Sequence, residues 1–414
     1  MINITIIGNS AAGLAAVETI RKHDKDIAIN VISKEGGLAY SRVLLPYVLR
    51  GKLPYENMTI RNEAYYADNK INYFQDEVVK INTDEKTVVL KTGEVLNYGK
   101  LLIATGSNPV KPPIEGIDAE GIYHMWTKDD VDGLMPHFEK GKRMAVIGSG
   151  FVSLQAAWAA VVKGLEVTVV ELADRIMPSV IDNKGADILS GKIRSFGVDL
   201  RTNTLTRKIE KLADGSFKIS FENQEPVEVD VIVVGTGVRP NVSFLEGSDV
   251  TVDRGIPVDA FMQTSVADVY AAGDVAAGPT AFGDTHMIHA LWPTALEMGK
   301  YAGLNILGHK KAYEGSLNMN VTQMYDLTVA SMGQFGSDLD HESFIYPEDE
   351  GKGYLKVCSK DGVMKGACLV GSTDAVKLFG RLRPLIRNEK KLNIRPEDLE
   401  TYLQINAFAS ADKA

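Results

Sequence analysis

Apolar and polar positions alternate between two recognisable rhythms along the chain. Residues 3–7 form a short apolar run that ends at glycine. An apolar stretch at helical spacing follows through residues 11–21, then a second short run over residues 27–32. Short apolar runs bounded by turn residues predict buried strands, and the longer stretch predicts a helix between them. The same order returns 140 residues later: a run at 143–147, a glycine turn over 148–153, a helix to Lys163 and a run at 166–170. Solenoid repeats recur every ~20–50 residues, so two copies at this separation predict two separate nucleotide-type domains instead.

Between the copies, residues 87–91 and 100–104 read as strands, and the proline-rich stretch 109–116 reads as a linker. Later strands are expected at 217–221, 229–234 and 269–272. After Gly308 the pattern becomes strand-like at 318–322, 328–332 and 354–359, with a helix over 374–387 and a small, polar tail over 407–414. A chain of 414 residues exceeds one hydrophobic core. The expected fold is α/β: two Rossmann-like dinucleotide-binding domains, each a three-layer ββα arrangement, plus an α+β C-terminal domain.

Net charge is −9, which argues against a nucleic-acid partner, since phosphate backbones need a basic surface. No apolar run is long enough to span a membrane and no secretory leader is visible, so no membrane role and a cytoplasmic location are expected. Only two cysteines occur, Cys358 and Cys368, which excludes a disulfide framework and a cysteine-ligated cluster within the chain. They read as buried structural thiols. No metal site is expected. His124, His286 and His289 read as ordinary polar residues, although the spacing of His286 and His289 also fits a metal pair or a place near a cofactor. The basic segment 377–391 holds Lys377, Arg381, Arg383, Arg387, Lys390 and Lys391 against Glu389. It fits a solvated helix face, or a dock for an acidic electron carrier.

The chemistry resides in the glycine turns. Gly8-Asn9-Ser10-Ala11-Ala12-Gly13 has the G-x-G-x-x-G form with Ser10 in the middle. Its first glycine makes the turn, the small middle residue lets backbone approach a pyrophosphate, and the last lets helix and strand pack closely. An acid about 20 residues on is needed for a ribose hydroxyl, and Glu35 lies 22 beyond Gly13. The second turn, Gly148-Ser149-Gly150-Phe151-Val152-Ser153, ends in serine, and Glu171 closes the next strand. A carboxylate there favours NADH over NADPH. Arg175 nearby could pair with a phosphate or be a surface residue. Each motif alone also fits an empty tight turn; the pair is far more specific.

The full set, with Leu102-Ile103-Ala104-Thr105-Gly106 between the turns and Gly235-Thr236-Gly237 and Ala272-Gly273-Asp274 after them, resembles the pyridine nucleotide–disulfide oxidoreductase superfamily. Residues 39–45, Ala-Tyr-Ser-Arg-Val-Leu-Leu, resemble the FAD region of rubredoxin and ferredoxin reductases and of nitrite reductase large subunits. The resemblance implies an FAD domain in two parts (1–110 and 244–316), an NAD(H) domain (111–243) and a C-terminal interface domain (317–414) through which the chain could form a homodimer. It places Gly8, Ser10, Ala11, Ala12, Gly13, Glu35, Arg42, Ala104, Thr105, Gly106, Gly273, Asp274, Trp292 and Pro293 at FAD. It places Gly148, Gly150, Phe151, Val152, Glu171 and Gly237 at NAD. Trp292 alone fits ordinary core equally well.

Three departures narrow the function the resemblance implies. The superfamily's redox cysteines are absent, one of them from the neighbourhood of Val43, so thiol chemistry is excluded. A lysine of the rubredoxin-reductase branch is Tyr47 here, and a glutamate facing the nicotinamide is Gln155; both are expected near the flavin and nicotinamide. No catalytic side chain is needed for hydride transfer, because the cofactors supply the chemistry. The implied activity is an FAD-dependent NADH:acceptor oxidoreductase that passes single electrons to or from an Fe–S protein. The chain would be a free ferredoxin or rubredoxin reductase, or the NAD-linked flavin subunit of a ferredoxin-type aldehyde or 2-oxoacid oxidoreductase complex or of a nitrite reductase assembly. The alternatives are an NADH oxidase, against which the missing cysteine counts, and a non-catalytic flavin-binding assembly module.

Overall fold

A computed structural model describes residues 3–283, 285–335, 340–345, 353–372 and 375–389. The described chain falls into two compact units. One comprises residues 1–44, 53–109 and 238–317; the other comprises 45–52, 110–237 and 318 onward.

The first unit is built on a five-stranded parallel sheet in the order Val269–Ala271, Lys100–Ile103, Asn3–Ile7, Ala28–Ser33, Ile71–Gln75. Its inner strands are near-continuous apolar runs, as burial on both faces requires. The helix Ala11–His23 lies against the helix Trp292–Ile306. Their approach depends on glycine: a Cβ on Gly299 would stand 2.2 Å from the Ala12 carbonyl oxygen, and one on Gly303 would stand 2.9 Å from that of Ala16. A three-stranded antiparallel sheet (Val78–Asn82, Thr87–Leu90, Val95–Asn97) completes one side of this core.

The second unit repeats the parallel sheet in the order Asp199–Arg201, Glu166–Val170, Arg143–Ile147, Val231–Val234, Ile122–Tyr123. The expected strand over 229–234 is in fact two. Val227–Val229 belongs to an antiparallel sheet with Phe217–Phe221 and Thr206–Lys211, and Val231–Val234 belongs to the parallel one. Asp230 makes the break, accepting from the Arg143 backbone N–H at 2.7 Å and from its guanidinium at 3.0 Å. The stretch expected as a linker is packed: Ile114 is buried, and the backbone of Glu115 bonds to Arg207 and Ile209 of the antiparallel sheet.

The same unit contains a five-stranded antiparallel sheet in the order Met319–Met324, Leu327–Gly333, Val363–Gly371, Gly353–Lys360, Asp340–Ile345. The helix Ala375–Arg387 covers it with Phe379, Leu382 and Ile386, while Lys377 and Arg383 are exposed. Asp374, Lys390, Lys391 and the tail over 407–414 lie outside the described residues. Tyr325 packs against Trp158 (ring centroids 4.7 Å apart) and Phe196 (5.8 Å), which also touch one another (5.0 Å), joining this sheet to the helix Phe151–Lys163. Both cysteines are buried on adjacent strands of the sheet, opposite Gly366 and Lys356 and not opposite one another. Burial pushes the Cys368 thiol up to about 12. Among the described residues no helix is long and apolar enough to cross a membrane.

Candidate functional site

In the first unit the turn is set by Gly8. Its φ is +126°, and a Cβ there would stand 2.1 Å from the Ala104 carbonyl oxygen. A Cβ on Gly13 would stand 2.0 Å from the Gly8 carbonyl oxygen, so the helix can start against the strand only with glycine here. Ser10 caps the helix by backbone geometry alone; its side chain makes no capping bond. The N–H groups of the first turn are therefore open to an anion, in the positive field of the helix end.

Around this turn the structure gathers several of the expected residues. Glu35 lies just past the second strand, where it pairs with the Arg42 guanidinium and accepts from the Tyr40 hydroxyl at 2.5 Å. Thr105 donates to the Asn241 carbonyl at 2.9 Å, and the Asn241 side chain donates back to the Thr105 carbonyl at 3.0 Å. Gly106 has φ +67°. Gly273 has φ +80°, and a Cβ on it would stand 3.2 Å from the Ala12 methyl. Asp274 accepts from the Ser107 hydroxyl at 3.0 Å, and burial raises its carboxyl pKa. Trp292 begins its helix, partly buried against the core, and Pro293 is exposed. His289 bonds through Nδ1 to the Ser316 hydroxyl at 2.6 Å, and burial lowers its pKa.

The second unit repeats the turn. Gly148 has φ +100°, and a Cβ on it would stand 2.4 Å from the Gly235 carbonyl oxygen. The backbone N–H of Gly148 donates to Val170 at 2.8 Å, as that of Gly8 does to Ile32. Gly150 caps the helix without a side chain, leaving the N–H groups of Phe151 and Val152 free of a side-chain cap. The serine at the last motif position is accommodated by donating to the Gly235 carbonyl at 2.8 Å, and Gly235 itself has no room for a Cβ beside the Ser153 hydroxyl. Glu171 accepts from Ser149 at 2.5 Å and from the Ala173 N–H at 2.8 Å. Arg175 is held by Asp174 and by the Pro178 carbonyl, both at 3.1 Å. Gly237, at φ +109°, is exposed.

Two residues have surroundings that sequence reasoning missed. The Gln155 amide donates to the Thr322 hydroxyl at 2.5 Å and to the Gln323 carbonyl at 2.9 Å, while its own oxygen is buried without a partner. Tyr47 lies under the Arg50 guanidinium, 4.4 Å from the ring centroid, so a buried cation neighbours the position expected to lack one. The segment Leu-Pro-Tyr-Val-Leu-Arg held no signal for that stacking beyond the spacing of tyrosine and arginine. Among the described residues no three His, Cys, Asp or Glu side chains cluster as metal ligands.

Two glycine turns of one geometry, each followed by an acid, are the marks of a two-dinucleotide enzyme. The pyridine nucleotide-disulphide oxidoreductase pattern matches residues 2–299. The chain belongs to the pyridine nucleotide-disulphide oxidoreductase family. It is an NAD(H)-dependent flavin oxidoreductase that uses FAD and NAD(H). The NADH-dependent phenylglyoxylate dehydrogenase subunit epsilon of Aromatoleum evansii is 33% identical over 365 residues, 87% of this chain and 86% of that one. An NADH oxidase of Methanocaldococcus jannaschii is 29% identical over 393 residues, 88% and 87% of the two chains. Among solved structures, an NAD-dependent persulfide reductase from A. fulgidus superposes with a TM-score of 0.88 at 28% identity, covering 100% of this chain and 84% of that one.

Proposed function

We propose that this chain is the NADH-linked flavin subunit of a larger electron-transfer complex, exchanging single electrons with an Fe–S protein or sister subunit. The observation that carries the reading is the recurrence of a glycine-cradled helix N-terminus without a side-chain cap and with an acid after the next strand, once in each unit. The chain's two thiols are both buried in the C-terminal sheet, which leaves electrons to depart without a disulfide step. The likeness to a subunit of an NADH-dependent dehydrogenase supports membership of a complex.

In this reading residues 1–110 and 244–316 form the FAD domain, 111–243 the NAD(H) domain and 317–414 an interface domain that could also pair two copies. The chemistry bound FAD would supply is acceptance of a hydride from NADH and release of electrons one at a time. Gly8, Gly13 and Gly273 let strand, turn and helix close against one another, and the N–H groups of Ala11, Ala12 and Gly13 would take its pyrophosphate oxygens. Glu35 has carboxylate lone pairs left for a ribose hydroxyl beyond those used by Tyr40 and Arg42. Asp274, oriented by Ser107, would accept from its sugar hydroxyls, Ala104, Thr105 and Gly106 would form the adjoining turn, and Trp292 and Pro293 would help to hold its ring. Gly148, Gly150, Phe151 and Val152 would hold the NAD pyrophosphate, Glu171 its adenosine ribose, and Gly237 would leave room for its nicotinamide end. Tyr47 and Gln155 tune the surroundings of the reacting rings.

Mixing the NADH-reduced protein with oxidised ferredoxin, with rubredoxin and with O2 in separate trials tests the acceptor. Rapid reoxidation by an Fe–S carrier, and retrieval of Fe–S subunits with a tagged chain from its own cells, are the expected results. Reoxidation by O2 alone would favour a second reading, an NADH oxidase like the M. jannaschii relative.

A further inference from the structure

We propose that Ser149 is the positioning residue for the Glu171 carboxylate and thereby sets the preference for a nicotinamide nucleotide with a free 2′-hydroxyl over one bearing a 2′-phosphate. This rests on the reading of Glu171 as the ribose acceptor. The turn needs glycine at 148 and a small residue at 150; nothing in its backbone geometry asks for a hydroxyl at 149. Yet the Ser149 side chain is buried, 1% exposed, and its hydroxyl both donates and accepts. Its hydroxyl donates to Glu171 Oε2 at 2.5 Å and accepts from the Met177 N–H at 3.2 Å.

Met177 is the point where the loop after the second strand is tied down. It has φ +48°, a conformation a branched or bulky side chain holds only under restraint, and its side chain is buried. Its carbonyl accepts from Val180 and Ile181, which lead to the Asp182 cap of the helix Asn183–Ser195. One hydroxyl thus fixes both the loop and the acid.

The second carboxylate oxygen, Oε1, is held by the Ala173 N–H at 2.8 Å. A carboxylate has about four lone-pair sites, so each oxygen held by one donor keeps a site for a ribose hydroxyl. A glutamate fixed at both oxygens meets the ribose without the entropy cost of ordering its side chain on binding. The same fixed charge cannot swing away from a 2′-phosphate. Arg175, the cation of this loop, directs its two terminal nitrogens to Asp174 and the Pro178 carbonyl.

The flavin-loaded protein with Ser149→Ala, Glu171→Ala and both changes is mixed with NADH or NADPH, and flavin reduction is followed at several coenzyme concentrations. Flavin absorbance and thermal melting establish that each variant is folded and loaded. Loss of one hydrogen bond should raise the NADH Kd of Ser149→Ala by about three- to tenfold, and the effect should fall on Kd and not on the limiting rate. The NADH-over-NADPH ratio should narrow. If Ser149 acts through Glu171, adding Ser149→Ala to Glu171→Ala should change neither quantity further. An unchanged Kd in Ser149→Ala beside a raised one in Glu171→Ala would overturn the proposal and leave the ribose reading standing, as would fully additive effects. An unchanged Kd in Glu171→Ala would remove both.

Discussion

Gly13 and Ser153 occupy the same motif position and solve one packing problem in two ways. At residue 13 the side chain is absent, because the Gly8 carbonyl leaves no room. At residue 153 the side chain is kept and the room is made opposite it, at Gly235. The first solution is legible in sequence as a third glycine; the second is not, since its complement lies 82 residues away. The same holds for Ser149, whose role appears only once Glu171 and Met177 are brought beside it. Gly13→Ala forces the turn open and should cost about 1–3 kcal/mol, read as a lower Tm, with a reduced flavin-to-protein ratio after gel filtration. Glu171→Ala should raise the KM for NADH through loss of about 1–3 kcal/mol of hydrogen bonding to the ribose. Steady-state assays check it, and an unchanged KM would remove the assignment.

Elements with a strong apolar period were readable: the strands Asn3–Ile7 and Arg143–Ile147 and the helices that follow them match their expected bounds closely. Elements whose burial is partial were not. The strand Ile71–Gln75 has no fully buried position, and the helix Asn183–Ser195 carries Gly185 and Gly191, which weaken the helical signal. That helix depends on a cap instead. Asp182 accepts from the Gly185 N–H at 3.0 Å, the Tyr354 hydroxyl at 2.6 Å and the Lys356 ammonium at 3.1 Å. Burial works to raise its carboxyl pKa, but these bonds outweigh it and hold the pKa below the ordinary value. A carboxyl depressed in the folded state stabilises above its unfolded pKa, and that contribution is lost as pH falls through the folded value. Asp182→Ala should therefore cost about 1–2 kcal/mol at neutral pH, and the gap in Tm from the parent should narrow in acid below the usual carboxylate range. At the helix pair of the first unit, Gly299→Ala drives a methyl into the Ala12 carbonyl and should lower stability by about 1–3 kcal/mol, measured by denaturant unfolding.

At the scale of the molecule, the sequence showed two nucleotide folds because short-range patterns repeat, and it showed a C-terminal region of different rhythm. It did not show that this region's sheet is joined to the second Rossmann unit through Tyr325, Trp158 and Gln155, because such contacts join residues more than 160 positions apart. The family fixes the cofactors, and both thiols are buried in the C-terminal sheet. What remains is a flavin oxidoreductase that exchanges reducing equivalents with NAD(H). The most direct test is an anaerobic titration of the purified yellow protein with NADH. The flavin absorbance should bleach in proportion to NADH added, with NADPH much less effective at equal concentration. A preparation that stays colourless when offered FAD, or whose bound flavin is untouched by NADH, would contradict the account.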